Sequence, residues 1–247
     1  MKPEDRTYRR WVQSELQTFE VCVDESDLLI SAERPLRDVA ERALRAVRAE
    51  LEGYLGRDPE FGAALEPREA LEGAPAVVRE MAAAARACGV GPMAAVAGAV
   101  AQRVGEAVLR ESREVIVENG GDIFLHTSRP RVAAIYAGES VLTGRLGVRV
   151  NQVGRGLGLC TSSGTVGHSL SFGRADAAIV LASSAALADA AATALGNRVQ
   201  EAGEIEDALE WLRGVPGVLG GAVVVGEHLG GWGAIELVRL GRDGEAG

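Results

Sequence analysis

The chain has 247 residues, 47% hydrophobic and 25% charged, which is enough for a sizeable core. Its 35 Asp and Glu outnumber 26 Lys and Arg, giving a net charge of −9 and arguing against a nucleic-acid protein, because the phosphate backbone rewards basic residues. Cys22, Cys88 and Cys160 lie far apart without a CxxC pair, a pattern of neither a disulfide framework nor a zinc site; reduced, buried thiols in a cytoplasm are expected. The start, MKPEDRTYRRW, carries charges of both signs and no apolar core, so it does not read as a secretory signal. The longest apolar run, Ala175 to Ala192, is broken by Asp176 and Asp189 and does not read as a membrane span.

Leu16 to Val23 and Asp27 to Ala32, separated by Asp24-Glu25-Ser26, read as a β-hairpin. Pro35 opens a helix whose Leu36, Val39, Ala40, Ala43, Leu44, Val47 and Leu51 recur at helical spacing. Gly56 to Pro75, with three prolines, reads as a connecting loop, either ordered cover or a lid. A second helix runs from Pro75 to about Ala87, Cys88-Gly-Val-Gly-Pro92 breaks it, and Met93 to Arg110 forms a third that is mostly Ala and Gly in its first half.

From Glu114 the period changes to two. Val115–Val117, Ile123–His126, Val132–Tyr136, Leu146–Val150, Leu157–Thr161 and Ala175–Ala182 read as strands. Helices follow at about Ser184–Arg198 and Ile205–Leu212, and Val218–Val225 with Trp232–Leu240 reads as a closing hairpin. Helices and strands mix without strict βαβ alternation. The expectation is one α+β domain spanning 1–247, with a mixed, partly antiparallel sheet packed against helices.

Four clusters carry candidate chemistry. The glycine turn through Gly91 into the smooth helix up to Gly98 could let a phosphate approach backbone N–H groups, or it could serve close helix packing. Glu118-Asn119-Gly120-Gly121-Asp122 is a hairpin signal; either its two acids are merely solvated, or they help hold a cation or a ribose hydroxyl. Cys160-Thr-Ser162-Ser163-Gly164-Thr165-Val-Gly-His168-Ser-Leu-Ser-Phe-Gly-Arg174-Ala-Asp176 surrounds a lone histidine with hydroxyls in a charge-poor block. It holds no GxSxG elbow, so Ser-His-Asp hydrolysis gains no support.

The fourth cluster is Asp189 and Thr193, four apart and therefore on one helix face. They are hard oxygen ligands suited to Mg²⁺ or Ca²⁺. Ser183 or Ser184 can cap their helix, which leaves Asp189 mid-helix without a cap role.

ENGGDIF, CTSSGTVGHSLSFGRAD and ALADAAATALGN, in that order and with GVGPMAAVAGAVA before them, resemble an uncharacterised branch of the ApbE-like superfamily. The match to that branch covers nearly the whole chain. A more distant resemblance, over roughly the second half, is to the ApbE flavin transferase, which moves FMN from FAD onto a protein threonine. The resemblance implies that Gly120, Gly121 and Asp122 form the family's GGD turn. It implies that Asp189 and Thr193, with the Ala192 backbone, ligate Mg²⁺, and that His168 is the catalytic base. The family's lysine motif is matched only by Ala95-Val96-Ala97-Gly98, with Ala97 at the lysine, and its Asp-Pro-x-Thr-Gly is replaced by Ser-Phe-Gly-Arg-Ala-Asp.

The expected pocket lies where the 89–98 turn, the 118–122 turn and the 161–176 loop converge near Asp189. It would take an anionic or phosphate-bearing small molecule, with Gly91, Asn119, Gly120, Gly121, Asp122, Ser162, Ser163, Gly164, Thr165 and Arg174 as binding residues. Two functions follow: a Mg²⁺-dependent flavin or nucleotide transferase, or a non-catalytic binding or partner protein in sulfur assimilation and homocysteine synthesis, to which the resemblance links this branch. The chain is expected to be cytoplasmic and homo-oligomeric, without nucleic-acid or membrane partners.

Overall fold

Alternating apolar residues pair the first two strands, β1 (Gln17–Val23) and β2 (Ser26–Ala32), antiparallel with Val23 opposite Ser26. That leaves a two-residue turn in which Asp24 takes a φ of 50°. The computed structural model describes residues 15–135, 143, 145–151, 154–164 and 173–240. Helix α1 (Arg37–Leu55) buries Ala40, Leu44, Val47, Leu51 and Tyr54 along one stripe, as its spacing requires. The Gly56–Pro75 segment is ordered cover. It contains the short helix α2 (Pro59–Ala63), which buries Phe61, and Leu71 N–H donates to the Tyr54 hydroxyl at 2.9 Å.

Helix α3 (Ala76–Cys88) ends on Gly89 in the left-handed conformation at φ 72°. The chain then turns by 106° into a 3₁₀ turn (Pro92–Ala95) and helix α4 (Val96–Val108). Strands β3 (Val115–Asn119) and β4 (Asp122–His126) form a hairpin with Asn119 opposite Asp122. Gly120 and Gly121 sit at φ 65° and 107°, the two positive values that a two-residue turn of this hand needs. After β5 (Arg131–Ala134) and β6 (Leu146–Val150) come β7 (Leu157–Ser162), β8 (Ala177–Ala182), helix α5 (Ala185–Asn197), helix α6 (Ile205–Arg213) and strands β9 (Val218–Val225), β10 (His228–Gly233) and β11 (Glu236–Arg239).

Eight strands form one sheet in the order β1-β2-β3-β4-β7-β8-β9-β10, and β11-β6-β5 form a second. The fold is α+β, and each strand pair among the described residues is antiparallel. The helices cover one face of the large sheet around a core that includes Leu28, Ile30, Leu44, Met81 and Leu195. The small sheet covers the other face through Leu125, Val148, Val150, Leu157, Leu159 and Ile179. No single helix among the described residues is long and apolar enough to cross a membrane.

The expected closing hairpin needs correcting. The partner of β9 is β10, whereas Glu236–Arg239 crosses to pair with β6 in the small sheet. Gly233, at φ 78°, turns the chain between the two. The β10 glycines hide the strand from a reading of alternation, yet they have a packing reason: a Cβ on Gly230 would lie 2.4 Å from Ile205 Cγ2 of α6.

Candidate functional site

Helix α5 is buried nearly all round, and Ser184 caps it by accepting from Leu187 N–H at 3.2 Å. Asp189 is the one charged side chain in that helix. It does have a cap role, on a different helix, which corrects the expectation. Its Oδ2 accepts the Gly98 N–H of α4 at 2.9 Å, and the Ala97 N–H is also directed at the carboxyl. Helix α4 has no capping side chain of its own, so α5 supplies one. Gly98 makes the approach possible, since a Cβ there would lie 2.2 Å from the Ala185 carbonyl and 2.9 Å from Asp189 Cβ. The small residues of α4 are therefore used for close helix packing.

The β3–β4 turn meets the same place. Asn119 donates its Nδ2–H to the Ala97 carbonyl at 3.1 Å, which ties the hairpin to the start of α4. Asp122 stands on the same sheet face, so neither turn acid is merely solvated: Asp122 turns inward, and Glu118, only 8% exposed, accepts from Gly121 N–H at 3.3 Å. Asp122 Oδ1 is buried and finds no hydrogen-bond partner among the described residues.

Burial of its carboxyl raises Asp122 well above the usual carboxylate range, and the nearby Asp189 carboxylate adds to the rise. Burial likewise pushes Asp189 up to about 7, against the Gly98 and Ala97 N–H groups that favour its charged form. Both shifts favour the protonated carboxyl, a preference that a cation bound nearby would reverse.

Strand β7 lines the other side. Leu157 and Leu159 face the small sheet, so Gly158, Cys160 and Ser162 face α5. Cys160, absent from the residues expected from sequence, contacts the Asp122 carboxyl and donates from Sγ to the Ala185 carbonyl at 3.5 Å. Its period-two spacing from Ser162 was the available signal. Ser162 is 8% exposed, and its Oγ has no hydrogen-bond partner among the described residues.

The structure thus brings Asn119, Asp122 and Asp189 together, with Ala97, Gly98 and Cys160. Gly120 and Gly121 are the turn that places Asp122. Thr193, half-buried, and Ala192, buried, follow Asp189 within one turn of α5. Ser163 continues from β7, half-buried.

Gly164 and the exposed Arg174 lie further along. A Cβ on Gly164 would be 2.2 Å from the Gly173 carbonyl, and one on Gly173 would be 1.8 Å from the Gly196 carbonyl. Seven residues of α5 separate Gly196 from Asp189, about 10 Å along the axis. Gly91 belongs to another contact, with a hypothetical Cβ 1.9 Å from the Ala64 carbonyl, so chain packing accounts for that glycine. His168 and Thr165 lie outside the described residues.

Among the described residues, no group of three or more His, Cys, Asp or Glu is arranged to hold a metal by itself. A Mg²⁺ site needs fewer carboxylates, because this ion keeps waters and takes substrate phosphate oxygens. The unpartnered Asp122 Oδ1 beside a second buried carboxylate fits such a cation. Two open depressions on the described surface lie elsewhere, one lined by Asp38, Glu41, Arg42 and Arg45, the other by Arg198, Glu204, Asp207 and Ala208.

The fold is that of the ApbE flavin transferases. The structure of flavin transferase ApbE from Vibrio cholerae superposes with a TM-score of 0.59 at 13% identity, covering 90% of this chain and 97% of that one. The apo flavinyl transferase ApbE of Pseudomonas stutzeri gives 0.56 at 17% identity, over 89% of this chain and 94% of that one. The family model described as "AbpE bacteria" matches residues 9–209, and the chain belongs to that family. Its relatives include a UPF0280 protein of Methanocella arvoryzae, 42% identical over 231 residues (93% of this chain, 94% of the relative), and one of Methanosarcina barkeri, 45% identical over 203 residues (81% and 80%).

Proposed function

We propose that this chain binds a diphosphate-bearing nucleotide, with FAD as the first candidate, beside a Mg²⁺ ion, and transfers its nucleotidyl part. One observation carries the reading: Asp122 Oδ1 is buried without a hydrogen-bond partner among the described residues, and the buried Asp189 carboxylate is near enough to act on it electrostatically. Asp189 and Asp122, with the Thr193 hydroxyl and the Ala192 carbonyl, would hold the ion. The bound Mg²⁺ supplies positive charge against a diphosphate.

The chain's own residues do the rest. Asn119 fixes the hairpin to α4, so that Asp122 is held while ligand exchanges. His168 is the base that takes the proton of an acceptor hydroxyl, such as a protein threonine. In the transfer the acceptor oxygen forms a bond to the FMN phosphorus, the phosphoanhydride bond breaks, and AMP leaves. Ala97 offers only backbone where the resembled transferases carry lysine.

Titrating the purified protein with FAD, with and without Mg²⁺, and analysing the products tests the reading. Mg²⁺-dependent binding is expected, with AMP release once an acceptor threonine peptide is present. FAD that fails to bind with Mg²⁺ present removes flavin as the ligand. Tight binding without AMP release leaves a binding protein.

A further inference from the structure

A buried hydroxyl without a partner costs free energy, so one that persists in a fold calls for a reason. Ser162 is more than nine-tenths buried, and its Oγ, the one polar atom of the side chain, has no hydrogen-bond partner among the described residues. Apart from Asp122, the other described side chains with a buried unpartnered atom are arginines and Glu80, and each of those is already joined in an ion pair. Ser162 has no second polar atom to make such a bond. Its Oγ faces the last turn of α5, where a Cβ added at Gly196 would stand 3.8 Å from it and 3.5 Å from Ala178 Cβ. The glycine thus leaves open space beside the hydroxyl. Gly196 follows Thr193 by three residues, which puts both on one side of the helix, so this space continues from the proposed cation ligands.

We infer that the Ser162 hydroxyl hydrogen-bonds an uncharged hydroxyl of the bound nucleotide, on its ribityl or ribose part. This rests on the nucleotide reading above and deepens it, by setting the direction in which the ligand runs from the ion, along α5 towards Gly196. A further phosphate suits this place poorly, because the last turn of α5 carries the negative end of the helix dipole on its carbonyl oxygens. A serine hydroxyl both donates and accepts, as a sugar hydroxyl does, so either partner can supply the proton. Without ligand the hydroxyl is a cost to the fold, and with ligand it is satisfied. Removing it should therefore raise stability while weakening binding, whereas removing a packing contact lowers stability.

The test is binding of FAD, ADP and inorganic pyrophosphate, each with Mg²⁺, to the full-length wild type, Ser162→Ala and Gly196→Ala, with the melting temperature of each ligand-free protein recorded. Ser162→Ala should melt at or above the wild-type temperature. It should bind pyrophosphate within about twofold of wild type and FAD about 3- to 10-fold more weakly, the range for one uncharged hydrogen bond. Gly196→Ala, whose methyl fills the space beside Oγ, should weaken FAD at least as much without loss of stability. Either variant suffices if the other fails to fold. A loss shared by ADP assigns the contact to the adenosine ribose, and one confined to FAD assigns it to the ribityl chain; both support the inference. Wild-type FAD affinity in either variant overturns it and leaves the nucleotide reading standing. An equal loss for pyrophosphate places phosphate at the hydroxyl, and losses for all three ligands that track a lowered melting temperature reduce Ser162 to packing; each overturns it too. A wild type that binds none of the three, or pyrophosphate alone, sinks the nucleotide reading and this inference with it.

Discussion

Gly98 and Asp189 are 91 residues apart in sequence, yet the Gly98 N–H donates to Asp189 Oδ2 at 2.9 Å in the buried seam between α4 and α5. The side chain that caps one helix is thus also the best candidate ligand on the other. Capping needs only an acceptor oxygen, whereas holding a cation needs charge. Substitution can separate the two.

Asp189→Asn keeps a carbonyl oxygen for Gly98 and removes the charge. It is expected to melt at or above the wild-type temperature near neutral pH in metal-free buffer, and to lose all stabilisation by Mg²⁺. Asp189→Ala loses the cap as well and should cost about 1–2 kcal/mol. Thermal melts with and without Mg²⁺ read both effects. Mg²⁺ stabilisation that survives in Asp189→Asn removes Asp189 from the ligand set.

The same carboxyl makes metal-free stability fall as pH rises. In the unfolded chain Asp189 gives up its proton near its ordinary value of 3.8; in the fold it holds it up to about 7. Between those values the folded form binds more protons than the unfolded, so stability declines through the window and levels above it. Asp122, raised in the same direction, adds to the slope. The melting temperature of wild type minus that of Asp189→Asn, followed from pH 4 to 8, should therefore decrease. A flat or rising difference contradicts the rise that burial imposes on this carboxyl against its two N–H donors.

Much of this arrangement was legible in the sequence, for reasons that differ by element. The β1–β2 and β3–β4 hairpins were readable because alternation and turn residues are local signals, and α1 and α5 because their apolar spacing or Ser184 cap is local too. The Asp122–Asp189 neighbourhood followed from resemblance; no local pattern places β4 beside α5. Cys160 went unread as a contact because its meaning lies in its cross-strand neighbour Asp122. β10 was missed since its glycines answer to α6, which packs over them.

Two ion pairs of similar appearance should differ sharply in weight. Arg131 of β5 bonds Glu114, just before β3, and both side chains are nearly buried, at 14% and 10% exposure. Burial raises the Glu114 carboxyl, but hydrogen bonds from Ser128 and Arg131 outweigh it and hold the group low. Arg131→Ala strands that carboxylate and should cost about 2 kcal/mol. Arg45→Ala breaks the exposed Arg45–Glu41 pair of α1 and should cost no more than about 0.5 kcal/mol. Urea unfolding of the two variants compares them directly, and equal losses would mean that the buried pair contributes little to docking the small sheet.

The glycines of the two central helices give a last contrast, because their positions predict opposite signs. A Cβ at Gly98 meets the Ala185 carbonyl at 2.2 Å, so Gly98→Ala must push α4 from α5 and should cost about 1–3 kcal/mol. It should also loosen the bond to Asp189 and weaken any Mg²⁺ binding. At Gly196, in the last turn of α5, the nearest atom to an added Cβ is Ala178 Cβ at 3.5 Å, an ordinary contact. Gly196→Ala should therefore stabilise by about 0.4–1 kcal/mol, through the lower entropy of the unfolded chain. If Gly196→Ala raises stability but abolishes nucleotide binding, then the space over Ser162 and Gly196 belongs to the ligand, and the site extends along α5 from Asp189 towards Gly164 and Gly173.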